Sequence, residues 1–73
     1  MTDDRKQWQR RIEREAYRRI MAGEAPEMLG EMTKQILSWF REKYPGRDEI
    51  TLNEVEDQIR DTWHRRHELI HGG

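Results

Sequence analysis

Two Gly/Pro breaks, Gly23 to Pro26 and Pro45-Gly46, cut this 73-residue chain into three segments. Glycine and proline are the strongest local terminators of regular structure, so each segment must be one continuous element or none. Each is long enough for a helix. No β-branched run and no period-two alternation occurs, so strands are not expected. Helix packed on helix is then the way left to bury apolar surface. The prediction is an all-α chain: an antiparallel three-helix bundle, one small domain over residues 1–73, with helices at about 3–21, 26–44 and 51–71.

The apolar periodicity assigns a face to each helix. In the first, Trp8, Ile12, Ala16 and Ile20 recur every fourth residue and form one stripe. Arg10, Arg11, Arg14 and Arg18 occupy the opposite side, and Asp3-Asp4 place carboxylates at the helix start, where the dipole favours them. Pro26 is expected in the first turn of the second helix, where its missing N–H costs nothing. There Met28, Leu29, Met32, Ile36, Leu37, Trp39, Phe40 and Tyr44 cover about half the circumference. That width suits two neighbours, so the second helix is expected to be central. The third opens with the clearest signal, the capping box Thr51-Leu52-Asn53-Glu54, in which the Thr51 hydroxyl accepts from the Glu54 N–H. Ile50 and Val55 flank it as a hydrophobic staple. Its stripe is Leu52, Val55, Ile59, Trp63 and Ile70, with Leu69 at the edge, and Gly72-Gly73 ends it.

Charged residues make up 40% of the chain and apolar residues 33%, a balance at which disorder must be considered. Three Trp, two Tyr and one Phe argue against it, since each supplies a large buried area. Basic and acidic residues number 14 and 15, so net charge does not steer the chain toward nucleic acid or anionic lipid. The absence of cysteine removes disulfides, iron–sulfur ligation and thiol nucleophiles. No apolar run reaches the length of a membrane span, and a cytoplasmic location is expected.

The last ten residues contain the residue types most suited to chemistry. His67-Glu68-Leu69-Ile70-His71 matches the H-E-x-x-H pattern of zinc hydrolases, and His64 lies one turn upstream. Imidazoles at i and i+4 can share a zinc ion, with the intervening Glu as general base. Zincin-type enzymes take a third ligand from downstream, where only Gly72 and Gly73 follow. Arg65-Arg66 precede the first histidine, and Arg60 projects from the same face. The favoured reading is a solvated helix end whose histidines complement the dipole, with His64, His67 and His71 as a candidate weak zinc site. The stretch Arg66 to His71 also looks like the R-x4-H signature of HEPN ribonucleases, although those two side chains fall about 140° apart on a helix.

Two further surfaces stand out. Arg11, Arg14 and Arg18 could meet phosphates, but pairs such as Glu15–Arg19 partly neutralise that face, which disfavours nucleic acid. Met28, Met32, Trp39, Phe40 and Tyr44 are read as core with a remainder left for a partner or a flat hydrophobic ligand. There is no glycine-rich phosphate loop, Ser/His/Asp order or cluster of paired carboxylates.

Glu15-Ala16 with Ile20, then Pro26, then Ile50-Thr51 with Val55, follow one another at spacings that resemble a known family. This is the small helical domain at the C-terminus of the light-independent protochlorophyllide reductase B subunit, the PCP-reductase-like domain. The similarity spans about residues 12 to 63. It implies an accessory domain in a nitrogenase-like or chlorophyll-related system, without a catalytic centre. The expected function, from the residues themselves, is a non-enzymatic helical binding or interaction module that works through a partner protein, a second copy or a flat hydrophobic ligand. Apolar contacts would come from Met28, Met32, Trp39, Phe40 and Tyr44, and polar rim contacts from Arg11, Arg14 and Arg18. Metal binding through His64, His67 and His71, and HEPN-like RNA processing, are the alternatives.

Overall fold

The computed structural model describes residues 4–46 and 49–71, and every described element is helical. Four helices follow one another: α1 (Asp4–Met21), α2 (Leu29–Lys43), α3 (Leu52–His64) and α4 (Arg66–His71). The expected caps at Asp3 and Gly72-Gly73 lie outside the described residues.

α1 ends where the first glycine stands. Gly23 has φ +76°, its N–H donates to the Ile20 carbonyl at 3.1 Å, and the Glu24 N–H reaches the Arg19 carbonyl at 2.8 Å. This pair of bonds is a Schellman motif, which needs a left-handed residue at that position and so selects glycine. At the start of α3, Thr51 is extended and its hydroxyl accepts from the Glu54 N–H at 3.3 Å, as the capping box predicts. Ile50 and Val55 on either side of the cap are fully buried.

The core joins one stripe from each of the three longer helices. Trp8, Ile12, Ala16 and Ile20 from α1 meet Met32, Ile36, Leu37 and Phe40 from α2, and Ile50, Val55 and Ile59 close it from the α3 side. Phe40 is its largest fully buried side chain and packs edge-on to Trp8, with ring centroids 6.3 Å apart. Two buried polar groups are satisfied locally. The Thr33 hydroxyl donates to the Leu29 carbonyl at 2.8 Å, and Glu15 is held by arginines. No buried side-chain polar atom among the described residues lacks a partner.

The structure corrects the expected layout in several places. α2 begins at Leu29, not Pro26, because the preceding chain stays extended (Met28 φ −111°, ψ 131°) and the Pro26 carbonyl accepts from the Trp63 indole N–H at 3.2 Å. Tyr44 caps the end of α2 instead of belonging to it. The expected third helix is two helices, broken at Arg65, whose N–H bonds back to Asp61 and Trp63 carbonyls. The break turns α4 on its axis, so that Leu69 packs on the core while Ile70 is 46% exposed, the reverse of the expected order. Finally, α3 runs close to both α1 and α2, which approach each other less extensively, so the central helix is α3 rather than α2. The wide apolar face of α2 is spent partly on an aromatic wall instead of a second neighbour. Met28 at 68% exposed and Leu52 at 44% exposed fall outside the core altogether.

Two glycines test this account with opposite signs. Gly23→Ala forces a Cβ into the left-handed region and should cost about 1 kcal/mol or more. Gly30 lies in α2, and nothing stands within 4 Å of the place a Cβ would take there. Gly30→Ala should therefore stabilise by up to about 1 kcal/mol. Thermal unfolding should show the two melting temperatures moving apart around the parent value, by about 4–8 °C per kcal/mol for a domain of this size.

Candidate functional site

A helix places residues at i, i+3 and i+7 along one edge. On α1 those positions are Arg11, Arg14 and Arg18, all exposed. They form one rim of a groove of about 490 Å³ between α1 and α2, within the size range of ligand-binding clefts. The facing wall is supplied by the end of α2: Trp39, Lys43 and Tyr44. The aromatic part of this wall is braced from the core side. Tyr44 packs on Phe40 at 4.9 Å and stands edge-on to Trp39 at 6.3 Å and 86°.

Each ring is also matched with a cation. The Arg11 guanidinium lies 4.8 Å from the Tyr44 ring centroid and the Lys43 ammonium 5.6 Å from the Trp39 centroid, both within cation–π range. Glu15 forms the floor. It accepts from Arg18 Nε at 3.0 Å and Nη2 at 2.9 Å, and from Arg19 Nε at 2.7 Å. The fork of hydrogen bonds from Arg18 holds the Glu15 carboxyl below its usual value of 4.5, against burial and with help from Arg19. Arg18 also lies 3.9 Å from Glu24. Arg14 has no ion-pair partner among the described residues.

The groove thus unites the three arginines foreseen as a polar rim with two of the five residues foreseen for apolar contact. The other three go elsewhere. Met32 and Phe40 are fully buried in the core, and Met28 stands exposed at the start of α2, away from the groove. Glu15 and Lys43 join the site without having been singled out for it. Their signal was present in the spacing, since Lys43 follows Trp39 by one turn and Glu15 precedes Arg18 and Arg19 by one turn.

The C-terminal histidines are distributed over two helices. His64 ends α3 with its ring 5.2 Å from Trp63, while His67 and His71 lie on α4 beyond the Arg65 break. No group of three or more His, Cys, Asp or Glu side chains that could hold a metal ion occurs among the described residues. Arg66, the arginine of the R-x4-H stretch, donates to the Trp63 carbonyl at 2.9 Å and lies 3.8 Å from its ring centroid. Its interactions within the fold are those of a helix cap. No helix among the described residues is long and apolar enough to cross a membrane.

Comparison with known proteins gives no significant match, whether to a family model, to a curated protein or to a solved structure.

The Glu15 network sets an acid limit on the fold. A carboxyl whose pKa is depressed on folding contributes stability that is complete above its unfolded pKa and is lost as pH falls through its folded one. The parent should therefore be more stable than Glu15→Gln above about pH 4.5, the ordinary value. The two should converge as the solution is acidified further. Chemical denaturation of both proteins between neutral pH and strong acid measures this, and a constant gap would contradict it.

Proposed function

We propose that this chain is a small non-enzymatic interaction module that engages a protein partner through the α1–α2 groove. The observation carrying this reading is the convergence of Arg11, Arg14 and Arg18 with Trp39 and Tyr44 on one face. Arginine and aromatic side chains supply much of the binding energy at protein interfaces, because they offer large area together with directed polar contacts. The groove is open along both helices, a shape that suits a polypeptide laid across it better than a small molecule needing enclosure. The helices carrying it form, in this reading, an antiparallel three-helix bundle with α4 appended. The connections of seven and eight residues between successive long helices support that arrangement. If the resemblance to the PCP-reductase-like domain extends to role, the partner belongs to a nitrogenase-like or chlorophyll-related assembly, and the module acts there as an accessory part in the cytoplasm.

A photo-crosslinking amino acid placed at Tyr44, with a control at exposed Glu31 near the start of α2 and outside the groove, tests the reading in cells. A discrete adduct from position 44 that is absent from position 31 is expected. Equal labelling from both positions, or none, would remove the groove as a binding surface. Stoichiometric zinc binding with sub-micromolar affinity, lost in the His67→Ala, His71→Ala double variant, would replace this reading with the metal-binding one.

A further inference from the structure

The near-zero net charge conceals a separation of charge between helices. α1 carries seven basic and three acidic residues, net +4, whereas α3 carries one basic and four acidic residues, net −3 with histidine neutral. On α1 the arginines of the groove rim stand at 11, 14 and 18. On α3 the carboxylates Glu54, Asp57 and Asp61 follow the same i, i+3, i+7 spacing along a single edge. Asp57 and Asp61 are exposed, Glu54 is half-buried, and all three lie on the side away from buried Val55, Ile59 and Thr62. Each set of three spans eight residues, seven helical rises or about 10 Å of helix.

These two edges do not neutralise each other within one chain. Among the described residues, Arg18 pairs with Glu15 and Glu24, Asp57 pairs with Arg60 at 3.0 Å, Glu54 has an interaction of its own, and none of Arg11, Arg14 and Arg18 forms an ion pair with α3. The side chains of Arg14, in the middle of its edge, and Asp61, at the end of the other, have no ion-pair partner among those residues. None of the three carboxylates lines the groove. A phosphate or other compact anion is only a few ångströms wide and can meet two of the arginines at most, whereas a row of carboxylates about 10 Å long can meet all three. Nucleic acid offers such a row, but base stacking would have to compete with Arg11 and Lys43, which already cover Tyr44 and Trp39.

We infer that the Arg11–Arg14–Arg18 edge receives the Glu54–Asp57–Asp61 edge of a second copy of this chain. The inference rests on the groove being the binding face proposed above, and adds the identity of the occupant. The spacings match residue for residue when the helices run parallel, and within one helical rise, about 1.5 Å, when they run antiparallel. Exposed ion pairs are individually weak, so the assembly is concentration-dependent and sensitive to salt.

Sedimentation equilibrium of the parent protein over a range of concentrations tests this at roughly 0.02 M and roughly 0.3 M salt, between which the screening length falls several-fold. The mass should rise with concentration at low salt, with the association constant reduced about tenfold or more at high salt. Arg14→Glu and Asp61→Arg, each alone, should be monomeric. An equimolar mixture should form a 1:1 heterodimer, because each variant retains the face that the other needs. Circular dichroism checks that the helices persist; if Arg14→Glu unfolds, Arg14→Ala takes its place. A parent that stays monomeric at low salt, self-association indifferent to both reversals, or a mixture that stays monomeric would each overturn the inference. A monomeric parent whose position-44 crosslink persists would overturn it while leaving the interaction-module reading standing. Loss of both the self-association and the crosslink would take the two together.

Discussion

The indole of Trp63 fastens together parts of the chain that sequence separates. Its N–H reaches the Pro26 carbonyl across 37 residues, and its face carries the Arg66 guanidinium. The first tie holds the α1–α2 connection extended and delays α2 by a turn. The second lies at the break between α3 and α4, beyond which α4 runs against α1. An indole can do this because it joins a large apolar body to one polar edge that must find an acceptor when buried.

Much of this architecture is legible in the sequence, for local reasons. Gly23, the Thr51 cap and the four-residue repeat of Trp8, Ile12, Ala16 and Ile20 are set by backbone sterics and helical geometry, which act over a few residues. What escapes is what depends on tertiary partners. Pro26 looks like a helix-starting proline, but its carbonyl is taken by a side chain from the other end of the chain. Ile70 falls on an ideal continuation of the α3 stripe, yet the break at Arg65 lets Leu69 take the inward position. The breadth of the α2 apolar face suggests two helical neighbours, whereas Trp39 and Tyr44 use part of it to build a wall that takes cations. The groove itself was half visible: the arginine edge follows from spacing within one helix, while its union with Trp39 and Tyr44 requires knowing how α1 and α2 lie together.

Charge in this molecule is organised at three ranges. At the shortest, Glu15 collects Arg18 and Arg19 and ties them to the buried side of α1. At the next, Arg11 and Lys43 lie on aromatic faces, which leaves their charge available while ordering their side chains. At the longest, α1 and α3 differ in sign although they pack together in the same core. A net charge of −1 describes none of this. Long-range attraction to simple polyanions or polycations is weak, while faces of either sign remain available to a partner with matching spacing.

The break at Arg65 divides the fold into parts of unequal cohesion. α4 has six residues and none of them is buried; Leu69 and the Arg66 cap are its main attachments to the rest. A helix of that length cannot persist unaided, because the nucleation penalty outweighs the few bonds it closes. Its helical state is therefore borrowed from docking, which lets it open without unfolding the three longer helices. In amide exchange, the residues after Arg65 should accordingly form a fast class, and α1, α2 and α3 a slower one governed by the common core.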